Sequence, residues 1–148
     1  MLLTERIEKD FILAYKNKES DKVAVLRMIK AALKNRQVEL KSSLDDAQAL
    51  EVLVREVKQR QESIRQFTQA GRDDLSLKEQ NELSILKTYL PPPLMPEEMK
   101  RIAAEIITEL GISDSKGMGM VMKTIAQRYP GRTDGRELSA VVRDILSS

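Results

Sequence analysis

"YLPPPLMPEE" occupies residues 89–98 and decides the fold. Pro91, Pro92 and Pro93 lack N–H donors and fix φ, so no helix continues through them and the chain runs extended. Pro96, followed by Glu97 and Glu98, means the opposite. Proline is tolerated at the first helical position, and the helix dipole favours negative charge there. One helical segment therefore ends near 90 and another starts at 96. The expected organisation is an N-terminal helical subdomain over 1–90, a Pro-rich linker over 91–95, and a C-terminal three-helix domain over 96–148.

Reading upstream, the apolar spacing is helical throughout. Leu3, Ile7, Phe11 and Tyr15 recur every fourth residue. Ser20 or Asp21 is placed to cap a second helix that carries Val25, Leu26, Ile29, Ala32 and Leu33. Ser43, Asp45 and Asp46 mark a third start. That long helix shows Leu50, Leu53, Val54, Val57, Ile64 and Phe67, and stops at Ala70-Gly71. Asp73 or Asp74 is placed to cap a fourth helix with Leu83, Leu86, Tyr89 and Leu90.

Downstream, Met99, Ile102, Ala103, Ile106 and Leu110 form a stripe that Gly111 ends. Residues 113–115 open the next helix, with Met118, Val121, Met122, Ile125 and Tyr129 on one side. Pro130-Gly131 breaks it. Asp134 with Glu137 fits a capping box before Leu138, Val141, Val142 and Ile145. No strand pattern appears. The fold class is all-α, with long hairpin-like helices in the first part and a small three-helix bundle in the second.

Composition narrows the chemistry. The 148 residues contain no cysteine and no histidine. Thiol nucleophiles, histidine bases and most zinc sites are excluded. No catalytic, cofactor or metal site is expected. Met118, Met120 and Met122 are read as core filler rather than soft-metal ligands. The N-terminus has no signal-peptide pattern, and no apolar run approaches the length of a membrane helix. Together with the absent cysteines this leads to the expectation of a cytoplasmic protein.

The net charge of +2 is nearly balanced, so any basic site must be local. Between residues 112 and 143, Lys116, Lys123, Arg128, Arg132, Arg136 and Arg143 stand against Asp114, Asp134 and Glu137, a local excess of +3. Two readings of "GRTDG" (131–135) stay open. In one, Gly131 and Gly135 let a backbone approach while Arg132 and Arg136 clamp phosphate oxygens. In the other, Gly131 ends a helix and Asp134 caps the next. In the first part, Arg27, Lys30, Lys34 and Lys41 line one helix side, and Arg55, Lys58 and Arg65 another. The five aromatics sit on apolar spacings, so base stacking is not expected and contact would be to phosphates and shape.

"RMIKAALKN" (27–35), "EVKQRQESIRQFTQAGRDDL" (56–75), "YLP" (89–91), "MGMVM" (118–122) and "GRTDG" occur in this order. Together they resemble the YqeY-like family, which is similar to the C-terminal tail of the B subunit of the tRNA-dependent Asp/Glu amidotransferase. The resemblance covers nearly the whole chain. It implies an all-α fold whose tail touches tRNA without doing chemistry. It implies tRNA-facing roles for Gly119, Lys123, Arg132, Asp134 and Gly135, with Arg27, Lys30, Arg65 and Arg72 as a second group. Arg128 and Arg136 join the first group by their place beside the turn. The family often has lysine where this chain has Met120, and alanine where it has Thr133. A description as a carbon–nitrogen ligase with glutamine as amide donor comes with the family. Its glutaminase Ser–Ser–Lys centre and ATP-using site belong to other parts of the amidotransferase. The expected function is a non-catalytic tRNA-binding module. The alternative is a protein-interaction accessory to amidotransferase or aminoacyl-tRNA synthetase assemblies. Neither DNA nor membrane is expected as a partner.

Overall fold

A computed structural model describes residues 1–147. Among them the chain is helical and carries no strand: α1 (Leu3–Lys16), α2 (Ser20–Leu40), α3 (Asp46–Gln69), α4 (Asp73–Lys87), α5 (Pro96–Leu110), a 3-10 turn (Ser115–Gly117), α6 (Met118–Arg128) and α7 (Gly135–Ser147). The chain divides into two compact units, Met1–Leu90 and Pro91–Ser148.

In the first unit α3 and α4 form a hairpin, and α2 packs on α1, α3 and α4. Asp45 starts α3 as the sequence suggests: its carboxylate accepts from the Gln48 N–H at 2.8 Å, and Gln48 returns a bond to the Asp45 N–H at 3.0 Å. Beside it, Asp46 reaches across and accepts from the Leu3 N–H at 2.8 Å, so α3 caps α1. Gly71, at φ 71°, turns the chain from α3 into α4. The buried Ser76 ties the corner, with its hydroxyl 3.0 Å from both Thr68 Oγ1 and Gln80 Nε2. The core holds Ile7, Ala14, Val25, Leu26, Ile29, Leu33, Leu53 and Leu86.

Three expectations are corrected here. Ser20 and Asp21 do not cap α2; Glu19 precedes the helix without a side-chain cap. Asp73 and Asp74 lie in the first turn of α4, after Arg72, where they face the dipole rather than cap it. Tyr15 is not buried but 64% exposed. A four-residue repeat drifts about 40° per step on a helix of 3.6 residues per turn, so the fourth member leaves the face and Ala14 takes its place.

The sequence pattern also missed Arg60. It continues the buried side of α3 after Val57 and is only 8% exposed. Nη1 donates to Glu56 at 3.4 Å, Nη2 contacts Met28 Sδ at 3.0 Å, and Nε lies 3.7 Å from a Glu82 carboxylate oxygen on α4. Nε itself makes no hydrogen bond. Burial pushes the Glu82 carboxyl up, Glu79 adds to this, and Arg60 pulls the other way. Nearby in the chain, Tyr89 donates to Asp10 at 2.7 Å and lies beneath the Arg6 guanidinium. Burial and that carboxylate raise the phenol well above its ordinary value.

In the second unit Pro96 is the first residue of α5, and Gly111 ends the helix at φ 68°. Met99, Ile102, Ala103 and Ile106 are buried against Val121 and Ile125 of α6 and Leu138 and Val142 of α7. The extended segment before α5 takes part in this packing. Leu94 is buried in the same core, and its N–H donates to the Arg132 carbonyl at 2.8 Å.

Candidate nucleic-acid interface

The α6–α7 hairpin carries most of the predicted site. A short 3-10 turn leads into α6, with the Asp114 carboxylate accepting from the Lys116 N–H at 3.0 Å. Gly117 is architectural, because a Cβ there would lie 2.4 Å from Ile112 Cγ2. Gly119, one residue into α6, is different. A Cβ added to it would meet nothing within 4 Å, and its φ is not in the left-handed region. Its neighbour Met120 is 58% exposed, while Met118 and Met122 pack on the core. Lys123 follows one turn later and is exposed with no carboxylate within 4 Å among the described residues.

Arg128, at the end of α6, is not available in the same way. Its guanidinium grips Glu109 of α5 with two bonds of 2.8 Å, a planar fork that satisfies both partners. This hydrogen-bonded pairing holds the Glu109 carboxyl below its ordinary value and the Arg128 guanidinium above its own. Counting Glu109 with the corner, six basic residues face four acidic ones and the local excess becomes +2.

The GRTDG turn is built as the second reading expects, with Asp134 capping α7. Gly131, at φ 74°, makes the turn possible. Arg132 Nε donates to the Pro92 carbonyl at 2.8 Å, and its own carbonyl takes the Leu94 N–H. One arginine thus pins the segment before α5 to the turn after α6. Asp134 accepts from the Arg136 N–H at 2.8 Å and from the Glu137 N–H at 3.2 Å. These are first-turn N–H groups of α7 that a phosphate would otherwise use. Asp134 is therefore a cap. A return bond from Glu137, which would complete the capping box, is not formed among the described residues. Gly135 opens α7 with ordinary φ, and a Cβ there also points into open space. The Arg136 side chain is exposed and has no carboxylate within 4 Å among the described residues. Arg143 is turned back onto Ser139 Oγ at 3.2 Å.

The second predicted group lies in the first unit and is mostly committed elsewhere. Lys30 sits 2.9 Å from Glu8 and 4.1 Å from the Phe11 ring centroid. Arg65 is paired with Glu62, whose hydrogen bond and charge raise the guanidinium. Arg72 clasps Asp74 through Nε and Nη2 at 3.3 and 3.2 Å, which holds that carboxyl low. Arg27 alone of the four has no carboxylate partner among the described residues; it leans over Phe11 at 5.8 Å. Spacing could not reveal these pairings, except for Arg65 with Glu62, where three residues on a helix already suggest contact.

Comparison with known proteins agrees with this architecture. A family model described as "Yqey-like protein" matches residues 4–146. Among curated proteins, the chain is similar to "Altered inheritance of mitochondria protein 41, mitochondrial" from several yeasts. The Kluyveromyces lactis protein is 28% identical over 145 residues, covering 96% of this chain and 77% of that protein. The Candida glabrata protein is 30% identical over 112 residues, covering 73% of this chain and 62% of that protein. The Saccharomyces cerevisiae protein is 35% identical over 74 residues, covering 49% and 40%. The matched region thus spans less than two thirds of the Candida and Saccharomyces relatives.

Proposed function

The chain belongs to the YqeY-like family, and on that premise we propose that it is a non-catalytic tRNA-binding module that holds RNA by backbone phosphates and shape. One observation carries the reading: on the α6–α7 hairpin, two glycines with open space beside them accompany two exposed lone cations. Gly119 and Gly135 are required by no turn, no positive φ and no close internal contact. Glycine in a helix costs about 0.5–1 kcal/mol relative to alanine, so a fold indifferent to these positions gains nothing from it. A backbone that must come close does. Lys123 and Arg136 stand where they would meet its phosphates, and Lys116 adds a third exposed cation just before α6.

Arg132 and Asp134 act in this reading as positioning residues, because their hydrogen bonds shape the turn. Arg128 contributes through the rigidity of its Glu109 pair. The work is done in a compartment that holds tRNA, either the cytoplasm or the mitochondrion that appears in the relatives' names. No helix among the described residues is long and apolar enough to cross a membrane.

The test is retention of bulk tRNA by the purified chain across a salt series. Each phosphate contact steepens the fall of log affinity with log salt by about 0.9 on duplex and about 0.7 on single strands. Neutralising Lys116, Lys123 and Arg136 together should flatten the slope by about two to three units. Met120→Lys, at an exposed position, should steepen it by about one. A slope unmoved by either change sinks the proposal.

A further inference from the structure

The first unit carries an open groove of about 530 Å³ between the end of α1 and the first half of α2, lined by Tyr15, Lys18, Ser20, Val23, Ala24 and Arg27. The Tyr15 ring is largely solvent-exposed, and Ile12, one turn earlier, is 47% exposed. Val23 and Ala24 of α2 also line the groove. The groove is built on fixed backbone: Lys18 donates its N–H to the Tyr15 carbonyl at 3.2 Å, and Glu19 to the Ala14 carbonyl at 3.0 Å.

The charge at the groove is of one sign. Its lining contributes two cations, Lys18 and Arg27, and no carboxylate. Neither cation has a carboxylate within 4 Å among the described residues, whereas Lys30, one turn beyond Arg27, is held by Glu8. Asp21, in the first turn of α2, is directed to Asn81 of α4 at 3.5 Å. Arg27 is steadied over Phe11, so its guanidinium is offered rather than free to wander.

We infer that this groove docks an acidic segment of a protein partner, with an apolar side chain laid over Tyr15, Val23 and Ala24 and carboxylates meeting Lys18 and Arg27. The charge complementarity selects an acidic occupant, and the aliphatic wall selects a peptide over RNA. Phosphates on Lys18 and Arg27 would leave Tyr15, Val23 and Ala24 uncovered, whereas an apolar side chain between carboxylates covers them. Small-molecule sites enclose most of their ligand, whereas this groove is open to solvent. The inference does not rest on the RNA reading, which concerns the other unit.

The experiment uses the full chain, labelled with 15N, and a synthetic peptide alternating Asp and Glu with Leu and Phe. The expected result is amide shifts confined to residues 12–28. Arg27→Glu should weaken binding by about tenfold, the scale of one exposed-to-buried charge pair. A peptide with Lys in place of every Asp and Glu should bind the Arg27→Glu chain and not the parent. Lys18→Glu, outside the helices, gives the same reading should Arg27→Glu lose the native spectrum. The inference is overturned by unmoved amides at millimolar acidic peptide or by equal binding of the basic peptide to the parent. Shifts of these amides on adding tRNA would reassign the groove to RNA. Shifts with protein concentration alone would reassign it to a second copy of the chain.

Discussion

In the first unit a guanidinium lies inside the helical core; in the second, among the described residues, no charged or polar side chain is buried at all. Both units are amphipathic helices around aliphatic side chains, yet they treat charge differently. The first draws Arg60, Glu56 and Glu82 inward and pairs five of its seven arginines with carboxylates. The second keeps its core apolar and leaves Lys116, Lys123 and Arg136 in solvent without carboxylate partners. The difference separates two uses of basic residues. In the first unit Arg60 bridges α3 to α4 and Lys30 bridges α2 to α1, while Arg6, Arg36, Arg65 and Arg72 pair with carboxylates two to four residues away. In the second unit Arg128 and Arg132 are tied into the fold, and Lys116, Lys123 and Arg136 are not.

The sharpest way to break this contrast is to remove Arg60. Arg60→Ala leaves two carboxylates partly buried without their counter-charge, a change that costs about 3–5 kcal/mol when a buried pair loses one member. Hydrogen exchange followed by peptide should show protection lost across α2, α3 and α4, with α5–α7 unchanged. Replacing Arg60, Glu56 and Glu82 together by apolar residues should cost far less, because no charge is then stranded. Equal loss in both variants would mean that packing of the arginine stem, not its charge, holds the unit.

A smaller effect separates the units by pH. Glu82 has its folded-state carboxyl raised, chiefly by burial. Its contribution to stability is therefore full below the ordinary value of 4.5 and is lost as pH rises through the folded value. Glu109 is held low, chiefly by its hydrogen bonds from Arg128, so its contribution is present above 4.5 and lost as pH falls through the folded value. Acidifying from neutral toward 4.5 should thus favour the first unit through Glu82. Further acidification should disfavour the second through Glu109. Asp74, held low by Arg72, acts in the first unit with the sign of Glu109, so each comparison is made against Glu82→Gln or Glu109→Gln. Unfolding curves of parent and variant that differ by the same amount at every pH would remove the distinction.

The legible part of this molecule was local. Asp45 before the third apolar stripe, Pro96 before two glutamates, and Gly111 after a clean stripe each declare a helix end through neighbours only a few positions away. So the all-α fold was readable, with the Asp45 and Asp134 caps and the ends at Gly71 and Gly111, whereas the caps expected for α2 and α4 were not there. What escaped was set by contacts remote in sequence. Arg60 looks like one more polar residue on a charged helix until Glu82, 22 positions on, and Met28, 32 positions back, close around it. Arg132 looks like a phosphate clamp until Pro92, 40 positions earlier, takes its Nε–H. Spacing showed the charge of each arginine but not which had already found a partner. That selection thins the candidate site to Lys116, Lys123, Arg136 and the two open glycines.

The smallest expected effect on stability bears most directly on that remainder. Gly119→Ala and Gly135→Ala each add a methyl group to open space on helical backbone. Alanine restricts the unfolded chain and favours the helix, so each should raise stability by up to about 1 kcal/mol. Gly117→Ala is the internal contrast, since its methyl would collide with Ile112 and should destabilise the second unit. If the α6–α7 hairpin receives a nucleic-acid backbone at close range, the first two substitutions must weaken tRNA retention while thermal unfolding moves upward. A gain in stability with retention unchanged would leave the glycines without a functional reason and rest the proposed interface on Lys116, Lys123 and Arg136 alone. Opposite movement of the two measurements is hard to obtain any other way, because damage to the fold would drive both down together.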